Sequence, residues 1–210
     1  MTGDERVPSP DVRAPSSGEQ VPSSGERVPP SVRPSRVEPR YGAVDVHYPD
    51  SGGGRAALVL ADDPGFGTLV AEHVTWLETV APYQPGSFYT RELPAIEAVL
   101  AGAGPLRLLI VDGYCDLDPD GRPGLGVHVH RACGVAVIGV AKTAFRSATH
   151  AVMVHRGQSR QPLYVTAAGL PVDEAVALVA GMAGPHRLPD ALRRVDALAR
   201  GHAAPSPTRG

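Results

Sequence analysis

Residues 106–113 read LRLLIVDG, an apolar run that ends in an acid and a glycine. Apart from Arg107, the first six residues are aliphatic, which is typical of a strand covered on both faces. A second buried run, VAVIGVA at 135–141, is followed by Lys142. Open α/β sheets bind ligands at the carboxyl ends of their strands, so Asp112 and Lys142 are the first candidates for a functional site.

The segment before this run predicts an antiparallel meander. Strand-like residues occupy 41–48, 55–61 and 69–79. The linkers 49–54 and 62–67 are rich in Gly, Asp and Pro, as hairpin turns are. Three consecutive strands joined by short turns therefore open the fold.

Helices and strands alternate in the rest of the chain. Apolar residues at helical spacing predict helices at 91–103, near 126–132, at 172–183 and at 191–200, with a hairpin around 151–167. Three antiparallel strands followed by alternating helices and parallel strands predict an α/β fold, a mixed sheet flanked by helices. This is the order of the ribonuclease-H-like superfold, although other α/β folds share it.

The two ends of the chain predict tails. Residues 1–39 are rich in Pro, Ser, Gly, Glu and Arg, and SSGEQVP at 16–22 is repeated as SSGERVP at 23–29. Such a composition cannot bury enough apolar area to offset its conformational entropy, so we expect disorder there and at 203–210. A docking role for the prolines is the alternative. The folded domain is predicted at 40–202.

Composition favours a soluble protein of the cytoplasm, and a monomer is the default expectation. The two cysteines, Cys115 and Cys133, form no CxxC motif, which suits a reduced compartment. No apolar run reaches the roughly 18 residues of a membrane span, so no membrane partner is expected. The formal charge of −2 gives no global attraction to a polyanion. Nucleic-acid binding would therefore need a local patch and a bound metal.

Three carboxylates suggest where such a metal would bind. Asp45 interrupts the apolar strand AVDV at 43–46, Glu92 opens a helix, and Asp112 ends a strand. A carboxylate inside an apolar strand is costly to bury unless something pairs with it, and Mg²⁺ prefers such hard oxygen ligands. Each acid also has an ordinary alternative: an Arg partner for Asp45, a first-turn helix acid for Glu92, and a turn for Asp112.

The stiff loop between the third strand and the first helix is a second functional candidate. It reads PYQPGSFYTRE at 82–92, and its prolines hold Tyr83 at the tip. A rigid aromatic ring can wedge into a base stack, although Tyr83 could equally pack on the sheet. Lys142 could hold a phosphate or orient a water, or it could be an ordinary surface lysine.

These stretches together resemble the endonuclease V family, which incises nucleic acid near deoxyinosine. Residues 82–92 match its Pro-Tyr-Ile-Pro-Gly wedge running into Arg-Glu, 109–113 match its Val-Asp-Gly, and 138–142 match its Ile-Gly-Val-Ala-Lys. The RLP at 187–189 and the RRVD at 193–196 match its carboxyl-terminal motif. The chain departs from the family pattern at Tyr114-Cys115, at residues 166–168 and in a shortened segment at 143–161.

The resemblance implies a catalytic set and a metal site. Asp45, Asp112 and Glu92 would be both catalytic and metal-binding, with Asp196 as a further ligand near the metal. Lys142 would face the scissile phosphate or the attacking water. The implied ion is Mg²⁺, with Mn²⁺ as a substitute.

The resemblance also implies substrate contacts. Tyr83 would be the strand-separating wedge, and His128 would be structural or contact a phosphate. The remaining positions would shape the pocket for a flipped hypoxanthine: Gly86, Phe88, Gly113 and Leu125.

The implied activity is incision at the second phosphodiester bond 3′ to deoxyinosine in DNA, which leaves a 3′-hydroxyl and a 5′-phosphate. Three alternatives stay open at this point. One is a ribonuclease acting on inosine-containing RNA, and another is a non-catalytic ribonuclease-H-like module that binds nucleic acid. A hydrolase of small phosphate esters would need a closed pocket, against which the exposed wedge loop argues.

Overall fold

A computed structural model describes residues 40–82 and 88–202. The predicted tails at 1–39 and 203–210 lie outside the described residues, as do Tyr83 and Gly86 of the wedge loop. In the described part, seven strands form one mixed sheet with helices on both faces. The elements are β1 Arg40–His47, β2 Gly54–Ala61, β3 Leu69–Leu77, α1 Tyr89–Leu100, β4 Leu106–Asp112, α2 Leu125–Cys133, β5 Ala136–Ala141, β6 Val152–Val154, β7 Leu163–Ala168, α3 Val172–Gly181 and α4 Asp190–Ala199.

The sheet has the strand order β3-β2-β1-β4-β5-β7-β6. Strands β1, β2 and β3 pair antiparallel, which confirms the predicted meander. Strands β1, β4 and β5 run parallel, and β7 then pairs antiparallel with β5. The three parallel strands form the centre of the sheet, so their carboxyl ends meet at one edge.

Two apolar clusters lie on opposite faces of this sheet. One joins alternate residues of β1, β2, β4 and β5 to α3 and α4, and the other joins the intervening residues to α1 and α2. Side chains alternate between the faces of a strand, which explains why Ala43 belongs to the first cluster and Val44 to the second. By the same alternation Asp45 and Asp112 point to the α4 face.

Some predicted boundaries were wrong by two or three residues. Helix α1 begins at Tyr89 and ends at Leu100, where the amide of Ala103 turns back to the Leu100 carbonyl. Strand β3 ends at Leu77 because its partner β2 begins at Gly54, the residue that pairs with Leu77. Helices α3 and α4 each end earlier than predicted. The predicted α/β mixed sheet itself is confirmed.

The described helices are all too short or too polar to cross a bilayer.

Candidate metal and nucleic-acid site

The carboxyl edge of the three parallel strands carries an acidic cleft of about 310 Å³. Asp45 lies in β1, Asp112 ends β4, and Lys142 directly follows β5. Glu92 reaches the cleft from the first turn of α1, and Asp196 from α4. The structure thus brings together all five side chains predicted for catalysis and metal binding, and their roles stay predictions.

A close approach of the backbone builds this edge. An added Cβ on Gly139 of β5 would lie 2.7 Å from the amide nitrogen of Cys115, the Gly113 carbonyl oxygen and the Thr166 Oγ1. The Thr166 hydroxyl oxygen accepts a hydrogen bond of 2.8 Å from that Cys115 amide. The loop after Asp112 can therefore pack against β5 only because residue 139 has no side chain.

Lys142 is the cation at the centre of the cleft. Its ammonium donates a hydrogen bond of 2.6 Å to Asp112 Oδ2 and lies 3.7 Å from Asp196 Oδ1. Burial lowers the pKa of Lys142, but the hydrogen bond and the charge of Asp112 outweigh burial and raise it overall. Asp196 also pairs with Arg200 of the cleft rim at 3.1 Å. Lys142 is therefore held charged among the acids.

Lys142 does not neutralise the whole cluster. Burial, and after it the charge of Asp112, raises the pKa of Asp45 to about 7, although the Val46 amide donates a 2.8 Å hydrogen bond to that carboxylate. Burial, followed by the charges of Asp45 and Asp112, raises the pKa of Glu92 to about 8. The cleft has four acids beside Lys142 and Arg200, so it carries excess negative charge only once Asp45 and Glu92 lose their protons.

The donor set fits a hard divalent cation by its chemistry. All four acids offer carboxylate oxygens, and their mutual repulsion is what a bound cation relieves. Within the described residues, no group of three or more His, Cys, Asp or Glu side chains has the present geometry to hold one metal ion. Metal binding in this cleft would therefore require side-chain movement around Lys142.

The two raised carboxyl pKa values predict how stability depends on pH. Both values lie above the ordinary values of 3.8 for Asp45 and 4.5 for Glu92, so the folded state binds protons more tightly than the unfolded state. This stabilisation is complete below about pH 4 and is lost as the pH rises through 7 and 8. Urea unfolding without metal should show a loss on the order of 5 kcal/mol between about pH 5.5 and about pH 9.

Saturating Mg²⁺ should flatten that pH dependence if the cleft binds the ion, because the ion favours the deprotonated acids. Without metal, Asp45→Asn should lose less unfolding free energy over this pH range than the wild type. If the free energy of unfolding fell equally with pH in both proteins, Asp45 would not be a cause of the pH dependence.

An apolar cavity of about 240 Å³ adjoins the cleft. Three of the four positions predicted to shape a base pocket line it, namely Phe88, Gly113 and Leu125. Asp112 lines both spaces, and so does Phe88. The fourth position, Gly86, lies outside the described residues. The other lining residues are Tyr89, Tyr114, Leu117, Pro123, Gly124 and Phe145.

Tyr114 and Phe145 form an aromatic wall of this cavity that the sequence did not predict. The Tyr114 hydroxyl donates to the Thr143 carbonyl at 2.7 Å and accepts from the Phe145 amide at 3.0 Å. The two rings pack tilted, with centroids 6.0 Å apart. Tyr114, one of the departures from the family pattern, thereby ties the loop after β5 to the loop after β4.

His128 has a structural contact. Its ring stacks on Tyr89 with centroids 3.5 Å apart and an angle of 7° between the planes. This contact joins α1 to α2 beside the cavity. Of the two roles predicted for His128, the structural one has an observed partner.

Two arginines hold the backbone behind the cleft. Arg187 donates to the carbonyls of Lys142 and Pro162 and to Gln161 Oε1. Arg156 is only 7% exposed and donates to five carbonyls between residues 180 and 187. Arg187 was noted in the sequence only as part of a motif, and Arg156 was missed, because backbone carbonyl partners leave no sequence pattern.

Arg187→Met should lower the free energy of unfolding by about 2–3 kcal/mol, because it leaves partly buried carbonyls without donors. Urea unfolding would measure the change. Arg193→Met is the matched control, since Arg193 is exposed and, within the described part of the chain, its side chain pairs only with Asp190, at 3.4 Å. Its expected change is below about 0.5 kcal/mol. Equal losses in the two variants would contradict a supporting role for Arg187.

Comparison with known proteins agrees with this geometry. The family model for endonuclease V matches residues 31–209. Endonuclease V of Streptomyces coelicolor is 30% identical over an alignment of 182 positions that covers 77% of this chain and 78% of that protein. The crystal structure of Streptomyces avermitilis endonuclease V is 29% identical and superposes with a TM-score of 0.66, covering 77% of this chain and 79% of that one.

A crystal structure from Ciona intestinalis shares the fold at 17% identity. It has a TM-score of 0.66 and covers 77% of this chain and 84% of that one. It contains endonuclease V in complex with DNA that carries an inosine followed by a ribo-adenosine.

The sheet with its acidic edge defines the class of this protein, a ribonuclease-H-like nuclease. Its family is evident from the extent of the match: the chain belongs to the endonuclease V family.

Proposed function

We propose that this protein is a Mg²⁺-dependent endonuclease that cuts the second phosphodiester bond 3′ to deoxyinosine. The products would be a 3′-hydroxyl and a 5′-phosphate. One observation carries the proposal: the acidic cleft and the apolar cavity adjoin, and Asp112 and Phe88 line both. A base held in the cavity would bring its strand across the acids.

The metal would be held by carboxylates of the cleft: Asp45, Glu92, Asp112 and Asp196. A bound divalent ion of this kind activates water and stabilises the leaving oxygen. Lys142 would hold the scissile phosphate or orient the attacking water, since its ammonium already lies between Asp112 and Asp196. Glu92 is 7% exposed, so its carboxylate would act in a water-poor part of the cleft.

The apolar cavity would receive the flipped base. Its volume of about 240 Å³ suits a single base, and the aromatic side chain of Phe88, which lines the cavity, could stack on that base. Backbone groups of the Gly113 loop, together with Gly86, would distinguish hypoxanthine from adenine by a 6-oxo group in place of a 6-amino group. Tyr83 would fill the gap that the base leaves in the stack.

Inosine-containing RNA is a second candidate substrate. The Ciona intestinalis protein was crystallised with an inosine followed by a ribo-adenosine, so a ribose at that position is compatible with binding in that protein. A cavity that reads one base on one strand would accept either sugar. The non-catalytic module has less support, because the acidic side chains of the cleft are all present.

The test is an incision assay on end-labelled strands that differ only in one base. Purified protein is incubated with a deoxyinosine strand, its adenine counterpart and an inosine RNA strand, with Mg²⁺ or Mn²⁺. We expect one product from the inosine strands, one nucleotide beyond the lesion, and little from the adenine strand. Binding without incision under both metals would favour the module, and equal cutting of inosine and adenine would remove the base assignment.

A further inference from the structure

Trp76 is the only tryptophan of the chain, and it lies on a surface that the proposed reaction does not use. It is 42% exposed on β3, an edge strand of the sheet. An exposed aromatic ring offers a face on which a nucleic-acid base can stack.

The strand register connects Trp76 to the acidic cleft. His47 pairs with Arg55, and Arg55 pairs with Trp76, so the three form a row across β1, β2 and β3. Residues that pair directly share a face, which here is the α4 face. Neighbouring strands are about 4.8 Å apart, so the Trp76 backbone lies roughly 10 Å from that of His47. His47 lines the cleft, and the row therefore leads out of it.

Arg55 supplies a positive charge in the middle of this row. Its guanidinium carbon lies 5.9 Å from the centroid of the Trp76 ring. A Cβ added to Gly201, beyond the end of α4, would collide with its Nη1 atom, so the guanidinium lies beside that residue. Among the residues described in the structure, Arg55 makes no salt bridge. Arg200 lies one residue before Gly201 and lines the cleft. Arg55 thus places positive charge between the cleft rim and the indole.

The indole is fixed in place before any ligand arrives. A Cβ on Gly53 in the turn between β1 and β2 would collide with the Trp76 ring, so the ring lies directly against the backbone of that turn. Gly53 also has a φ of 73°, which disfavours any side chain there. A rigid aromatic platform loses little entropy when a base stacks on it.

We propose that Arg55 and Trp76 bind a single-stranded stretch of the nucleic-acid substrate that leaves the acidic cleft. Arg55 contacts a phosphate, and the Trp76 ring stacks on a base. The charge of the row complements a polyanion, and its position beside the cleft matches a strand that already crosses the acids. This inference deepens the proposed function and rests on it for the identity of the strand.

The single tryptophan makes the site directly measurable. Indole emission is followed while a deoxyinosine strand with about ten nucleotides on each side is added without divalent metal, so that no cutting occurs. Anisotropy of a label on the strand reports total binding in the same samples. We expect saturable quenching of Trp76 that parallels the anisotropy change.

Two variants and a control locate the contact. Trp76→Ala should weaken binding by roughly 5- to 150-fold, the range for loss of one base stack. Arg55→Gln should lower the slope of log affinity against log salt by about 0.7. Val70→Ala removes an exposed side chain at the far end of the same strand and should bind like the wild type. Thermal unfolding confirms that each variant is folded.

Shortening the oligonucleotide distinguishes the contact with Trp76 from binding elsewhere on the protein. Shortening one of the two flanks should weaken wild-type binding but leave Trp76→Ala unaffected, because the lost nucleotides are those that stack on Trp76. Equal losses in both proteins overturn the inference, as does binding without any quenching.

The same strand with Mg²⁺ reports incision independently. Incision without quenching removes this binding site and leaves the proposed function intact. Quenching with the expected trimming effect but without incision supports the binding site and removes the proposed function.

Discussion

Asp112→Asn is expected to lower incision of a deoxyinosine strand about a thousandfold, equivalent to ~4 kcal/mol of transition-state stabilisation. Asp112 ends a central strand and lines both the cleft and the cavity. The amide keeps the size of the side chain but removes the charge that a cation needs. Single-turnover incision with Mg²⁺ measures the loss, and the variant should still bind the strand.

Asp116→Asn is the matched control for this prediction. Asp116 lies four residues further along the chain, in the loop after β4, and lines neither the cleft nor the apolar cavity. Its substitution should change incision by less than about threefold. Comparable losses in the two variants would show that the loop tolerates no change, and that the charge of Asp112 is not the cause.

The central sheet and two of the site residues were predictable because buried strands appear in the sequence as continuous aliphatic runs. Continuous aliphatic runs mark strands covered on both faces, and the residue that ends or succeeds such a run lies at the edge where parallel strands end. Asp112 and Lys142 were found in this way. Asp45 was visible because an acid inside an apolar strand is unusual.

Features that depend on distant backbone were not predictable. The Arg156 side chain donates to carbonyls 24 to 31 residues away, and a carbonyl carries no sequence signature. The Tyr114 hydroxyl binds a loop about 30 residues further on. The raised carboxyl pKa values have the same origin, because burial is their largest cause and burial is decided by packing. The row of Arg55 and Trp76 required the register of three strands, which hairpin turns alone do not specify.

Lys142→Met is expected to have two effects that distinguish a catalytic lysine from a structural one. Incision should fall about 100-fold or more, because a charge aimed at the reacting phosphate is lost. The free energy of unfolding without metal should also fall by ~1–2 kcal/mol, a value reduced for the 38% exposure of the lysine side chain. The cause is the 2.6 Å hydrogen bond to Asp112, whose loss leaves the acids without their central cation.

Mg²⁺ should restore stability but not activity in this variant. A divalent ion in the cleft replaces the positive charge that Lys142 supplied, yet it cannot also take the position of an ammonium at the phosphate. Arg200→Met is the control for stability, since its pair with Asp196 is exposed and contributes at most about 1 kcal/mol. Urea unfolding with and without Mg²⁺, beside single-turnover incision, measures both effects. Wild-type incision rates in Lys142→Met at saturating Mg²⁺ would mean that Lys142 only balances charge, and that another group orients the attacking water.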